Sequence, residues 1–201
     1  LRSIVALECD INLLLSGDYE ELDVAVERHP DLVRGEMVYF VRRVADEDNW
    51  GYELGAWGTG SREEVPDLDA KGEIDCSHLV LRACEFAGID ISACSYTGDM
   101  LRLENQGFTV YACSDGYTND GDYELISMPN GLQPGDILLN EDHHAAMYVG
   151  DGQIVEAVHN EYGTGHYEGG ALGDTGMEVS GSEEVVRRDY HDYSNGGWHY
   201  V

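Results

Sequence analysis

The sequence predicts an α+β fold, with helices in its first half and a small antiparallel sheet in its second. Two observations carry this. Apolar residues recur at helical spacing over Glu36 to Ala45 and over Glu73 to Ile89, and from Leu132 onward short apolar runs alternate with tight turns. Helices grouped before strands argue against an alternating, doubly wound arrangement. There is no internal repeat and no GxGxxG, P-loop or HExxH motif.

In chain order, residues 1 to 34 carry two short helical patterns, Ile4 to Leu15 and Tyr19 to Val26, and the second is stopped at His29-Pro30. The helix expected over Glu36 to Ala45 turns Met37, Val38, Phe40, Val41 and Val44 inward. Asn49 to Gly60 is rich in aromatics and glycine and reads either as a cleft wall that includes Trp57 or as filling at the edge of a core. The helix over Glu73 to Ile89 has Asp75 or Ser77 available as caps at its start and Gly88 at the left-handed position past its end. A short helix (Met100 to Glu104) and a strand-like Phe108 to Tyr111 follow. Gln133-Pro134-Gly135-Asp136 is then a turn into the strand Ile137 to Leu139. Ala145 to Val149 and Gln153 to Val158 form a hairpin around Gly150-Asp151-Gly152, and Val185 to Arg188 with Trp198 to Val201 close the sheet.

Forty acidic residues against eleven basic ones, of which only Lys71 is a lysine, give a formal charge of −29. Such a field repels nucleic acid and anionic membranes and excludes both as partners. No apolar run is long enough to span a bilayer. Acid excess with few lysines is the balance of a salt-adapted surface, although a high-GC genome alone favours arginine over lysine. Cys9, Cys76, Cys84, Cys94 and Cys113 are odd in number and irregular in spacing, which suits neither a disulfide framework nor a CxxC metal pair.

Cys76 lies in the first turn of its helix, where the dipole and unpaired N–H groups favour a thiolate. It is either a small buried hydrophobe or a nucleophile. A nucleophile needs a base and an orienting group. In a hairpin symmetric about position 151, Glu156 faces position 146, and His144 is one diagonal step away on the same face. A carboxylate amid Ile154, Val155, Ala157 and Val158 needs a partner, and the imidazole of His144 satisfies it. The bland alternative makes His143 and His144 a surface pair and Glu156 a solvent-facing residue.

Asp75-Cys76-Ser77 at a helix start, Leu132-Gln133-Pro134-Gly135-Asp136-Ile137, and His144 through Tyr148 to Gly150-Asp151-Gly152 come in the order and spacing of a known family. The chain resembles the NlpC-type papain-like cysteine peptidases, which are related to the CHAP amidases. It is most similar to the phage-associated peptidoglycan hydrolases among them, through Asn49-Trp50-Gly51-Tyr52 and Tyr96-Thr97-Gly98-Asp99-Met100. The resemblance covers about 36 to 201. It implies a papain-like NlpC-type domain over 35–201, with the nucleophile helix packed on the sheet, and leaves 1–34 as an N-terminal helical extension or connector.

The resemblance implies Cys76 as nucleophile, His144 as base, Glu156 at the orienting position and Tyr52 in the oxyanion hole. Asn160 or Glu161 are substitutes for Glu156. Asp75, Ser77, Trp57 and His143 are the implied substrate-contacting residues, with Asp75 binding a free amine. His78 stands where the family usually has glycine, which predicts a bulkier cleft lip. The implied partner is the peptidoglycan stem peptide, cut after γ-D-glutamate or at the muramoyl–L-alanine bond. No metal or cofactor is implied, and a separate cell-wall-binding module is compatible with it. The site of action is the bacterial cell wall, reached by secretion or phage delivery. The other readings are an amidase or acyltransferase toxin acting on a non-wall substrate, and a non-catalytic phage structural or binding module.

Overall fold

The computed structural model describes residues 30–47, 50–58, 67–70, 72–113, 131–158 and 184–201. The expected N-terminal helices before Pro30, the loop over 114–123 and the glycine-rich stretch over 159–176, with Asn160 and Glu161, lie outside them. The architecture is α+β. Helix α1 (Pro30–Glu47) is followed by three short strands, β1 (Trp50–Gly51), β2 (Trp57–Gly58) and β3 (Gly72–Ile74). Helix α2 (Cys76–Phe86), a 3₁₀ helix (Thr97–Gln106) and four strands come next: β4 (Ile137–Asn140), β5 (His144–Gly150), β6 (Gln153–Ala157) and β7 (Val185–Asp189).

Helix α1 starts six residues before the expected Glu36. Pro30 does not merely end what precedes it; its fixed φ and missing N–H suit the first helical turn. The helix therefore runs through position 35, where the sequence reading begins the main domain. Met37, Phe40, Val41 and Val44 are its buried face. Arg34 ties it to the Pro-Gly-Asp turn, through a 2.6 Å ion pair with Asp136 and a hydrogen bond to the Pro134 carbonyl. Asp136 also accepts the N–H of Gln133, and Gly135 takes the left-handed conformation (φ 91°) that the turn requires. These contacts give that motif a structural job.

The single helix expected over Glu73 to Ile89 is instead a strand and a shorter helix. Gly72–Ile74 pairs parallel with β1 and antiparallel with β2, and Ile74 is completely buried. Asp75, in an extended conformation, accepts the N–H of His78 at 2.8 Å and so caps α2 at Cys76. At the other end, Gly88 N–H bonds to Glu85 and Ile89 N–H to Cys84, the paired bonds of a left-handed glycine stop.

Strands β4 to β7 form an antiparallel sheet in sequence order. The hairpin register pairs Met147 with Val155 and Tyr148 with Ile154, and slips by one at Gly150 opposite Gln153. Helices α1 and α2 pack together and against this sheet, with Phe40, Leu79, Val80, Ala145, Met147 and Val155 in one core. Phe108 to Tyr111 is not a strand, and Trp198 to Val201 does not form a full one. Among the described residues, isolated bridges join Ala112 and Leu139 to Tyr200. Among the described residues, no helix is long and apolar enough to cross a membrane.

Candidate active site

Cys76 is the first residue of α2 and 6 % exposed. Its sulfur lies against the start of β5, where the backbone N–H of Ala145 points at it, together with those of Ser77 and Cys76 itself. Burial, and after it the Asp75 carboxylate, push the thiol up to about 12 against those amides. The expectation that the helix end favours a resting thiolate is therefore corrected: desolvation wins, and the group rests as a thiol whose deprotonation must be coupled to a base.

His144 opens β5 directly before Ala145, and its ring is buried. Its Nε2 donates to Glu156 Oε2 at 2.7 Å, along the diagonal of the hairpin. Glu156 is 1 % exposed, and its Oε1 accepts from Arg188 Nε and His191 Nε2, each at 2.8 Å. Burial alone would raise this carboxyl, but the hydrogen bond and charge of His144, with His191 and Arg188, pull it down to about 2. It stays ionised through the working pH range and fixes the proton of His144 on Nε2, leaving Nδ1 as the ring's other functional atom.

Two aromatics, whose part in the site nothing local in the sequence marks, flank this ring. Tyr193 stacks on the His144 ring at 4.8 Å and Trp198 at 5.7 Å. They shield the His144–Glu156 bond from water, which keeps its electrostatics strong. Asn140, fully buried opposite His144 at the end of β4, anchors their loop. Its amide donates to the carbonyls of Gly197 (2.8 Å) and Asn195 (3.3 Å), while its Oδ1 accepts the N–H of Asp142.

Tyr52 is 8 % exposed and close enough to Cys76 and Asp75 to feel both charges. Burial first, and those charges next, raise its phenol well above the ordinary range, so it remains a hydrogen-bond donor. Its backbone N–H is held by the buried Glu184 carboxylate, and Glu184 also accepts the Val158 N–H, so one residue joins the Tyr52 loop to the main sheet.

The four residues expected to contact substrate divide into two pairs. Trp57 is half-buried and His143 exposed. Asp75 and Ser77 are buried. Asp75 Oδ1 accepts from Ser77 Oγ and His78 N–H at 2.8 Å, and Oδ2 accepts the N–H of Gly55 at 2.9 Å. Those oxygens are thus engaged within the chain in capping and loop closure, rather than directed at an incoming amine. His78 does not widen a cleft lip. It is 3 % exposed, stacks on Trp57 at 3.6 Å, and bridges the carbonyls of Ala56 (Nδ1, 2.7 Å) and Ser95 (Nε2, 2.9 Å). It replaces the expected glycine by a brace between two loops.

Among the described residues, one cluster brings metal-type ligands together: Glu141, Asp142 and His199. Asn140 presents an N–H to His199 Nε2 at 3.3 Å, and the proton on Nδ1 is donated to Glu141 at 2.6 Å. Both ring nitrogens are thus engaged within the chain. Cys76, Cys84, Cys94 and Cys113 form no disulfide.

Comparison with known proteins adds the family. Residues 16–155 match the model of the endolysin-like domain, a span that includes Cys76 and His144 and stops one residue before Glu156. The chain is similar to two solved structures. One is NlpC1 from Trichomonas vaginalis (19 % identity, TM-score 0.42, 85 % of this chain and 45 % of that one). The other is the peptidoglycan hydrolase RipB from Mycobacterium tuberculosis (17 % identity, TM-score 0.43, 87 % of this chain and 68 % of that one). The chain thus spans less than half the length of NlpC1. No curated protein matches. With the family model matched over more than half its length, this chain belongs to the endolysin-like domain family.

Proposed function

We propose that the chain is a peptidoglycan hydrolase that cuts an amide bond of the cell-wall stem peptide by a thiol mechanism. The observation that carries this reading is the buried His144–Glu156 hydrogen bond beside a thiol at a helix N-terminus, with Ala145 N–H on the sulfur. Because Cys76 rests as a thiol, His144 Nδ1 takes its proton as the sulfur attacks the amide carbon. The Sγ–C bond forms and the carbonyl becomes an oxyanion. The Tyr52 phenol and the N–H groups at the start of α2 stabilise that charge, with a single donor worth roughly 3–4 kcal/mol. The imidazolium then protonates the leaving amine as the C–N bond breaks, and the neutral imidazole activates water to hydrolyse the thioester. Glu156 orients the ring and balances its charge throughout.

Trp57 and His143, which keep solvent access, are the substrate contacts in this proposal, and Asp75 and Ser77 support the helix start. The bond is the one after γ-D-glutamate or the muramoyl–L-alanine amide, at the wall of a bacterium reached by secretion or by a phage. Residues before α1 serve as an extension or connector, and a separate wall-binding module supplies affinity that an acidic surface does not. Digestion of purified peptidoglycan from several wall types, with mass spectrometry of the released fragments, tests this. New termini that are absent with Cys76→Ala are expected and identify the bond. No release from any wall by the folded chain refutes the reading and favours an amidase or acyltransferase on another substrate, or a binding module.

A further inference from the structure

The orienting carboxylate has more partners than orientation requires. His144 uses only Oε2 of Glu156; Oε1 is taken by Arg188 from β7 and by His191 just beyond it. Arg188 is 43 % and His191 38 % exposed, whereas Glu156 and His144 are buried. Glu156 thus joins His144, sealed under Tyr193 and Trp198, to a guanidinium and an imidazole that meet solvent.

Both nitrogens of His191 are engaged. Nδ1 faces the Asp192 carbonyl at 2.8 Å, and Nε2 faces the Glu156 carboxylate at 2.8 Å. The carbonyl of His191 accepts the Trp198 indole N–H at 3.0 Å, which fixes the backbone under the ring.

Resting on the hydrolase reading, we infer that His191 and Arg188 are positioning residues that act through Glu156: by holding Oε1 they fix the carboxylate whose Oε2 orients His144 and draw its charge toward Oε1. The charged groups around the network are consistent with this. His144 on β5 faces Glu156 on β6, the next residue Ala145 sets its N–H on the Cys76 sulfur, and Tyr193, whose phenol is raised first by burial and then by Cys76 and Glu156, stacks on the His144 ring. Arg188 brings the cation of this set, and His191 a second partner on the same oxygen. Removing either leaves more of the Glu156 charge facing His144.

The test is the pH profile of Cys76 alkylation by iodoacetamide in the full chain, read by mass spectrometry at the Cys76 peptide, with peptidoglycan release measured in parallel. His191→Gln keeps a side-chain N–H donor and removes the imidazole; Arg188→Gln removes the guanidinium charge. In each, the acid limb of the profile is expected to move up by about half to one pH unit, as more of the carboxylate charge is left facing His144. Limbs within about 0.1 unit of wild type in both variants, each folded by thermal melting, would overturn the inference, as would a downward shift. Alkylation needs no wall substrate, so absence of peptidoglycan release alone refutes the hydrolase reading and leaves this test standing. Alkylation indifferent to His144→Ala would remove both.

Discussion

Replacing Glu156 by glutamine keeps the side-chain volume and removes the charge that His144, His191 and Arg188 address. Holding a carboxyl at about 2 instead of its ordinary 4.5 corresponds to about 3 kcal/mol of folding stability. Glu156 is 1 % exposed, so solvent screening takes little from that figure. The sign follows from the direction of the shift. A depressed carboxyl stabilises the fold fully above its unfolded value near 4.5, and the contribution is lost as pH falls toward 2. Urea unfolding of wild type and Glu156→Gln, followed by circular dichroism, is therefore expected to differ by about 3 kcal/mol at pH 7 and by less than about 1.5 kcal/mol at pH 3. A difference that is equal at the two pH values, or below about 0.5 kcal/mol at pH 7, would refute the claim that charge rather than packing holds this residue.

Three more outcomes follow from contacts elsewhere. His78→Ala removes two buried hydrogen bonds and the Trp57 stack, so stability should fall by about 2–4 kcal/mol and Trp57 fluorescence should shift toward that of exposed indole; an unchanged melt would contradict the brace. Asn140→Ala frees the loop carrying Tyr193 and Trp198, and wall digestion should drop at least tenfold with Cys76 still alkylated only where His144 is intact; full activity would show that shielding is unnecessary. A net charge of −29 predicts a melting temperature that climbs from low to molar salt, and a flat response would dispose of the salt-adapted surface.

The contact between His144 and Glu156 was legible because a tight turn fixes cross-strand register, and the pairing of Met147 with Val155 extends to it. The Cys76 helix start was legible from its cap, although Gly72 to Ile74 before it proved to be a strand and the helix correspondingly shorter. The strands β1 and β2 have two residues each, too few to show any period, and were hidden in an aromatic loop. His191, Tyr193 and Trp198 were invisible as site residues for a different reason. Their contacts join residues far apart in sequence, set by an Asn140 anchor that leaves no local pattern. Burial likewise decided Cys76 and His78, and burial of a polar residue at a helix start cannot be read from its neighbours along the chain.

The segment from His191 to Val201 has a consequence for how the molecule comes into being. The thiol at Cys76 is translated long before Tyr193, Trp198 and the bridges of Tyr200 to Leu139 and Ala112. During synthesis Cys76 can meet its helix and β3 early, while the His144 ring stays wet and unstacked until this strap has cleared the ribosome and closed over it. A nascent chain stopped before His191 would thus carry the thiol without a shielded His144, so the arrangement proposed for amide cleavage would wait on synthesis of the 191–201 segment.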